Sequence, residues 1–167
     1  YFFCPNQFWE HKNHFTLLKA LSILKKTSEK EVLVLFSGKE HDARNPDFFR
    51  TLKAYVDENQ LHHNVKFLGF IDREDQLQLM NHAIAVIQPS LFEGWSTVVE
   101  DAKSMNQFII ASDLGVHREQ LNENVDFFEP LNSEQLAVII NRYNHKHPLR
   151  VNSSFYDQDI RNFGKKF

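Results

Sequence analysis

Residues 31–38 read EVLVLFSG, a continuous apolar run that ends in Ser-Gly. Such a run is typical of a β-strand that is covered on both faces, because a half-exposed strand would alternate apolar and polar side chains. Strands covered on both faces occur mainly in parallel sheets with helices packed against them. The run therefore predicts an α/β architecture.

Shorter apolar runs on both sides of this stretch alternate with segments of helical periodicity. They predict further strands at residues 1–4, 65–69, 83–87, 108–111 and 126–128. Helices are expected after Asn13, Pro46, Asp72, Gly94 and Asn132, with short ones near residues 117–121 and 157–162. The alternation predicts one domain over residues 1–167, a three-layer Rossmann-like open parallel sheet of about six strands with helices on both faces.

Composition excludes several classes of protein. With 42% hydrophobic and 25% charged residues, the 167-residue chain is neither disordered nor fibrous. The net charge of −3 argues against nucleic acid as a partner, and no apolar run approaches the ~20 residues of a membrane span. The single cysteine, Cys4, excludes an internal disulfide and fits a reducing compartment, so we expect a cytoplasmic protein. A strand that starts at Tyr1 suggests a piece of a longer protein.

The expected topology indicates where a ligand binds. In the Rossmann order 3-2-1-4-5-6, the first and fourth strands lie side by side at the topological switch point. Ligands of such sheets bind outside the carboxyl ends of the strands at that point. We therefore expect the ligand to bind at the two loops that follow these strands, residues 5–13 and residues 89–97.

The second of these loops has the composition of an anion site. It precedes a helix, and its backbone N–H groups can bind a phosphate or diphosphate at Gly94, Trp95, Ser96 and Thr97. The carboxylate of Glu93 can accept hydrogen bonds from hydroxyl groups, and Asp101, a little under two turns into the helix, can reach a second diol. A phosphate flanked by two such carboxylates describes a sugar nucleotide, although either acid alone more often complements a helix dipole or is simply solvated.

Four motifs together resemble the C-terminal, donor-binding domain of family 4 glycosyltransferases with the GT-B fold. They are NQFWEHKN (6–13), VKFLGF (65–70), QPSLFEGW (88–95) and EDAK (100–103). The resemblance implies that Glu93 contacts the donor-sugar hydroxyls beneath the anomeric carbon and that Asp101 holds the ribose diol. It assigns the diphosphate to the N–H groups of residues 94–97, and it places Phe70 and Ile71 at the nucleobase.

The first loop departs from the family pattern. Family members place Arg and Lys five residues apart to reach the leaving diphosphate; Lys12 matches the Lys, but Gln7 stands at the Arg position. An amide donates hydrogen bonds without neutralising charge. Three possibilities are open: Lys12 and the helix dipole suffice to neutralise the diphosphate, another cation contributes, or turnover is slow. We expect Lys12 and Glu93 to be the catalytic residues and Gln7 to lie at the diphosphate.

The resemblance implies a retaining glycosyltransferase that takes a nucleotide sugar and needs no metal or other cofactor. The acceptor site would lie in an N-terminal domain of the same polypeptide, outside this chain, so the chain alone should bind donor weakly and catalyse nothing. The full protein has no expected transmembrane segment, and peripheral association with the inner face of the membrane stays open.

Two other functions remain open at this stage. Half of a GT-B sugar-nucleotide epimerase would show catalytic acids and histidines in the cleft, and a flavodoxin-like regulatory domain would have the strand order 2-1-3-4-5. The nine histidines lack metal-ligand spacing. Among them, His117 is placed near the cleft rim, with a structural role favoured. The 16 phenylalanines are better explained by core packing than by base stacking.

Overall fold

The computed structural model describes residues 1–151, so the helix expected near residues 157–162 lies outside the described residues. The strands are β1 Phe2–Pro5, β2 Val34–Ser37, β3 Val65–Phe67, β4 Val86–Gln88, β5 Ile109–Ser112 and β6 Val125–Phe128. The helices are α1 His14–Thr27, α2 Phe48–Glu58, α3 Arg73–His82, α4 Thr97–Ser104, α5 Gly115–Gln120 and α6 Ser133–His145. A 3-10 turn at Glu10–Lys12 precedes α1.

All six strands are parallel, in the order β3-β2-β1-β4-β5-β6. This is the predicted Rossmann order, and it differs from the order that a flavodoxin-like domain would have. β1 and β4 are neighbours, with Phe3 opposite Val86, so the switch point lies where it was predicted.

The central strands are covered on both faces, as the run at residues 31–38 predicts. In β2, Val34 and Phe36 pack into one core with α1, α2 and α6, whereas Leu35 joins a second core with α3 and α4. The period-2 alternation of strand side chains distributes an all-apolar strand between the two cores in this way. The result is the predicted three-layer arrangement.

Several boundaries differ from those predicted. β2 begins at Val34 rather than at residue 31, and β4 begins at Val86 rather than at residue 83, although Leu33 and Ala85 already accept backbone hydrogen bonds from β1. α4 begins at Thr97, capped by Ser96, so Asp101 lies just over one turn into the helix.

Most of the phenylalanines within residues 1–151 serve the core, as predicted. Five of these are fully buried, namely Phe2, Phe3, Phe8, Phe36 and Phe128. Phe8 also contacts Phe49 and Phe67 in tilted and edge-on geometry. Within residues 1–151 we find no helix with both the length and the apolar character needed to cross a membrane.

Candidate functional site

The loops after β1 and β4 are fastened to each other at the switch point. The N–H of Leu91 donates to the carbonyl of His11 at 2.8 Å, and Asn13 Nδ2 donates to the carbonyl of Pro89 at 2.9 Å. Asn13 stands at the predicted N-cap position of α1, but it adopts φ 57° and its side chain does not cap the helix. Its amide instead holds the two candidate loops in contact.

This contact brings together Lys12 and Glu93, the two expected catalytic residues. Lys12 Nζ lies 2.6 Å from Glu93 Oε1, and the two side chains are only 13% and 9% exposed. The same oxygen accepts hydrogen bonds from Gln88 Nε2 and Ser90 Oγ, each at 2.7 Å. Among the described residues, none donates to the other carboxylate oxygen, Oε2.

Lys12 and Ser90 keep Glu93 ionised. Burial by itself raises the pKa of this carboxyl, but the hydrogen bonds from Lys12 and Ser90 outweigh burial and hold the pKa below its ordinary value. The site therefore contains a fixed carboxylate with one oxygen occupied by the protein.

Two of the supporting side chains, Gln88 and Ser90, were not predicted. Gln88 ends β4 fully buried, and its Oε1 accepts a hydrogen bond from Asn6 Nδ2 at 2.9 Å, which turns the amide N–H groups towards Glu93. The signal in the sequence was a glutamine at the end of an apolar strand run, since a buried amide needs polar partners.

The N-terminus of α4 presents three of the four expected N–H donors. Ser96 is the exception: its N–H donates to Gln120 Oε1 at 3.2 Å and its hydroxyl caps the helix at Val99. Its contact with a diphosphate stays a prediction, and the diphosphate would have to replace Gln120 as the acceptor. Among residues 1–151, the N–H groups of Gly94, Trp95 and Thr97 have no acceptor. A Cβ at Gly94 would meet no atom within 4 Å, so the space beside this loop is open.

Asp101 faces α3 and forms a two-pronged ion pair with Arg73, at 2.5 and 2.7 Å. The neighbouring Glu100 instead accepts a hydrogen bond from Gln120 at 2.8 Å. Asp101 is thus the acid on the α3 side, where the loop after β3 ends. Its expected contact with the ribose stays a prediction, and a ribose hydroxyl would have to share the carboxylate with Arg73.

Gln7 points to the loop after β2. Its Oε1 accepts a hydrogen bond from the N–H of Lys39 at 2.7 Å, and the N–H of Phe8 donates to the carbonyl of Lys39 at 3.1 Å. Lys39, which was not predicted, extends its ammonium over the ring of Phe70, 5.6 Å from the ring centroid.

The two residues expected at the nucleobase differ in exposure. Phe70 is 66% exposed, so its ring is available for stacking, whereas Ile71 packs against the second core. The contact of each residue with the nucleobase stays a prediction.

His117 is not at the rim of the cleft. It is completely buried, and its Nδ1–H donates to the carbonyl of Ser112 at 2.8 Å, which leaves Nε2 as the unprotonated nitrogen. Burial lowers its pKa, so the ring is neutral. In the part of the chain that the structure describes, no three His, Cys, Asp or Glu residues come together as a metal site would require.

The sequence of this chain matches a known protein family and a curated relative. The family model described as "Glycosyl transferases group 1" matches residues 1–157. The O-antigen chain mannosyltransferase RfbU of Salmonella typhimurium is 26% identical over 155 residues, covering 87% of this chain and 41% of RfbU. The chain thus spans less than half the length of this relative.

Solved structures share the fold. Anabaena Alr3699/HepE in complex with UDP superposes with a TM-score of 0.76 at 24% identity, over 86% of this chain and 38% of HepE. The C-terminal domain of the group 1 family protein LpcC from Francisella tularensis gives a TM-score of 0.73 at 21% identity, over 87% of this chain and 76% of that domain. The resemblance seen in the four motifs is confirmed: the chain belongs to the group 1 glycosyltransferase family, and its fold is that of GT-B glycosyltransferase domains.

Proposed function

We propose that the chain is the donor-binding domain of a retaining glycosyltransferase. The full protein would move a sugar from a nucleoside-diphosphate sugar to an acceptor hydroxyl in glycan or polysaccharide biosynthesis, without a metal or other cofactor. The observation that carries the proposal is the Lys12–Glu93 contact of 2.6 Å beside the open N–H groups at the start of α4.

The arrangement suits a diphosphate joined to a sugar. The N–H groups of Gly94, Trp95 and Thr97 lie at the positive end of the α4 dipole, where a diphosphate is stabilised. Lys12 has three N–H donors and uses one on Glu93, so the others can reach the leaving diphosphate. Donors held in place before the reaction stabilise the charge that develops on the leaving group.

Glu93 would act on the sugar. Its Oε1 is occupied by three protein donors, whereas Oε2 can accept hydrogen bonds from donor-sugar hydroxyls. A carboxylate kept ionised next to the reacting sugar also stabilises the positive charge that builds up at the anomeric carbon as the diphosphate departs. Phe70 and Asp101 would complete the site at the nucleobase and the ribose.

The relatives support a nucleotide-containing donor and a further, N-terminal domain. HepE was solved with UDP bound, and RfbU is named a mannosyltransferase. Because this chain covers 38% of HepE and most of an isolated C-terminal domain, we propose that residues 1–167 form the C-terminal domain. The acceptor would then bind to an N-terminal domain of the same polypeptide. The epimerase alternative is disfavoured because the candidate histidine, His117, is completely buried rather than exposed in the cleft.

Calorimetric titration of the chain with UDP, GDP and ADP tests the proposal. We expect at least one of the three to bind, and Lys12→Met to weaken that binding while Lys19→Met, an exposed lysine on α1, leaves it unchanged. The chain alone should transfer no sugar. If none of the three nucleotides binds to the folded chain, the proposed function is wrong.

A further inference from the structure

The positive charges at the carboxyl edge of the sheet are almost all paired with carboxylates. Here the carboxyl edge means the segments that follow β1, β2, β3 and β5. Within residues 1–151, its ion pairs are Lys12 with Glu93, Arg44 with Asp42, Arg73 with Asp101 and Arg118 with Asp113. A diphosphate brought to this edge therefore meets cations whose charge is already largely compensated.

Lys39 is the exception. Among the described residues, no carboxylate oxygen lies within 4 Å of its ammonium, which sits instead 5.6 Å from the centre of the Phe70 ring. An ammonium over an exposed ring is only weakly held, and its four-carbon stem is flexible. The ammonium can therefore leave Phe70 when an anion or a base arrives.

The backbone of Lys39 is fixed beside Gln7. Its N–H donates to Gln7 Oε1 and its carbonyl accepts from the N–H of Phe8, so both polar groups of this residue are bound to the loop after β1. The preceding Gly38 lies so close to that loop that a Cβ would stand 2.3 Å from the carbonyl oxygen of Asn6. Lys39 thus projects from the place where the side chain of residue 7 ends.

We infer that Lys39 is the second cation of the donor site and that it binds the diphosphate of the nucleotide sugar. Gln7 is then a positioning residue: it gives up direct contact with the diphosphate and holds the backbone of Lys39. The inference rests on the proposed function, and it answers which group supplies the charge that Gln7 lacks.

Binding of nucleoside diphosphate and of inorganic pyrophosphate to the chain tests the role of Lys39. For Lys39→Gln we expect both ligands to bind about tenfold more weakly, the effect of losing one charge-assisted contact. Lys39→Arg should stay within about threefold of wild type, and the matched surface variant Lys19→Gln should be unchanged. Adding Gln7→Arg to Lys39→Gln should restore affinity, because it returns a cation to the same place.

The outcomes separate this inference from the proposed function. If wild type binds no nucleoside diphosphate, both fall together. If wild type binds and Lys39→Gln matches it, only the inference is overturned. A loss of nucleotide affinity with unchanged pyrophosphate affinity also overturns it, since Lys39 would then act on the base over Phe70. Because the Lys39 side chain is exposed, its substitution should leave the free energy of unfolding unchanged. Urea unfolding of each variant checks this, so that a change in affinity can be assigned to binding.

Discussion

Replacing Lys12 by methionine should lower the free energy of unfolding of the chain as well as weaken donor binding. The substitution removes the ammonium 2.6 Å from Glu93 and leaves a carboxylate that is 91% covered without its counter-charge. Loss of one partner from a buried ion pair costs about 3–5 kcal/mol. Because Gln88 and Ser90 still donate to Glu93, we expect the lower end, about 3 kcal/mol.

Urea unfolding at pH 7 measures this loss. With a slope of about 2 kcal/mol per molar urea, the midpoint should fall by about 1.5 M at unchanged slope. The double variant Lys12→Met/Glu93→Gln should recover much of the loss, because the neutral amide still accepts from Gln88 and Ser90. Lys19→Met, on the surface of α1, should stay within about 0.5 kcal/mol of wild type.

The pH dependence gives a second test of the pair. The pKa of Glu93 is lower in the folded chain than in the unfolded chain, so its stabilising contribution is present above the unfolded value and is lost as pH falls through the folded value. In Lys12→Met the unpaired carboxylate is relieved by protonation, so the deficit relative to wild type should shrink between pH 7 and pH 4. A loss of less than about 1 kcal/mol in the free energy of unfolding at pH 7 would refute a buried ion pair, because ion pairs on the solvated surface contribute about 1 kcal/mol or less.

Three further outcomes follow from residues around the site. Gly38→Ala should cost about 1–3 kcal/mol in urea unfolding, because its Cβ would collide with the Asn6 carbonyl. Burial lowers the pKa of His14 to about 3, so protonation favours the unfolded chain; stability should fall by up to about 1.4 kcal/mol per pH unit as pH drops from 6.5 towards 3, and His14→Leu should flatten that slope. Burial raises the pKa of Cys4 to about 12, so a thiol reagent should label it only after urea unfolding, and rapid labelling of the native chain would contradict its burial.

The sheet and the place where the two candidate loops meet were predictable because they depend on local patterns. Apolar runs such as residues 31–38 have to be buried on both faces, and alternation with helical periodicity leaves few topologies for a parallel sheet. The strand order then places the loops after β1 and β4 together whatever their side chains are. Element ends were less predictable, because apolar residues such as Val32 are buried without pairing in the ladder.

The partners within the site depend on contacts between distant parts of the chain. Ser96 looked like a free donor at a helix start, but the amide of Gln120, 24 residues away, accepts its N–H. Gln7 reads as a poor substitute for arginine until its contact with Lys39 is seen, 32 residues away. Such pairings follow from the packing of α5 and of the loop after β2, which no local pattern specifies.

Amide NMR of the chain titrated with nucleoside diphosphates tests the central claim, that a diphosphate binds where β4 leads into α4. With the nucleotide that binds among UDP, GDP and ADP, we expect the largest shifts at the N–H groups of Gly94, Trp95 and Thr97. Ser96 should move less, because Gln120 already accepts its N–H. Saturable binding with the largest shifts away from residues 94–97, or no shift with any of the three nucleotides, would contradict the claim.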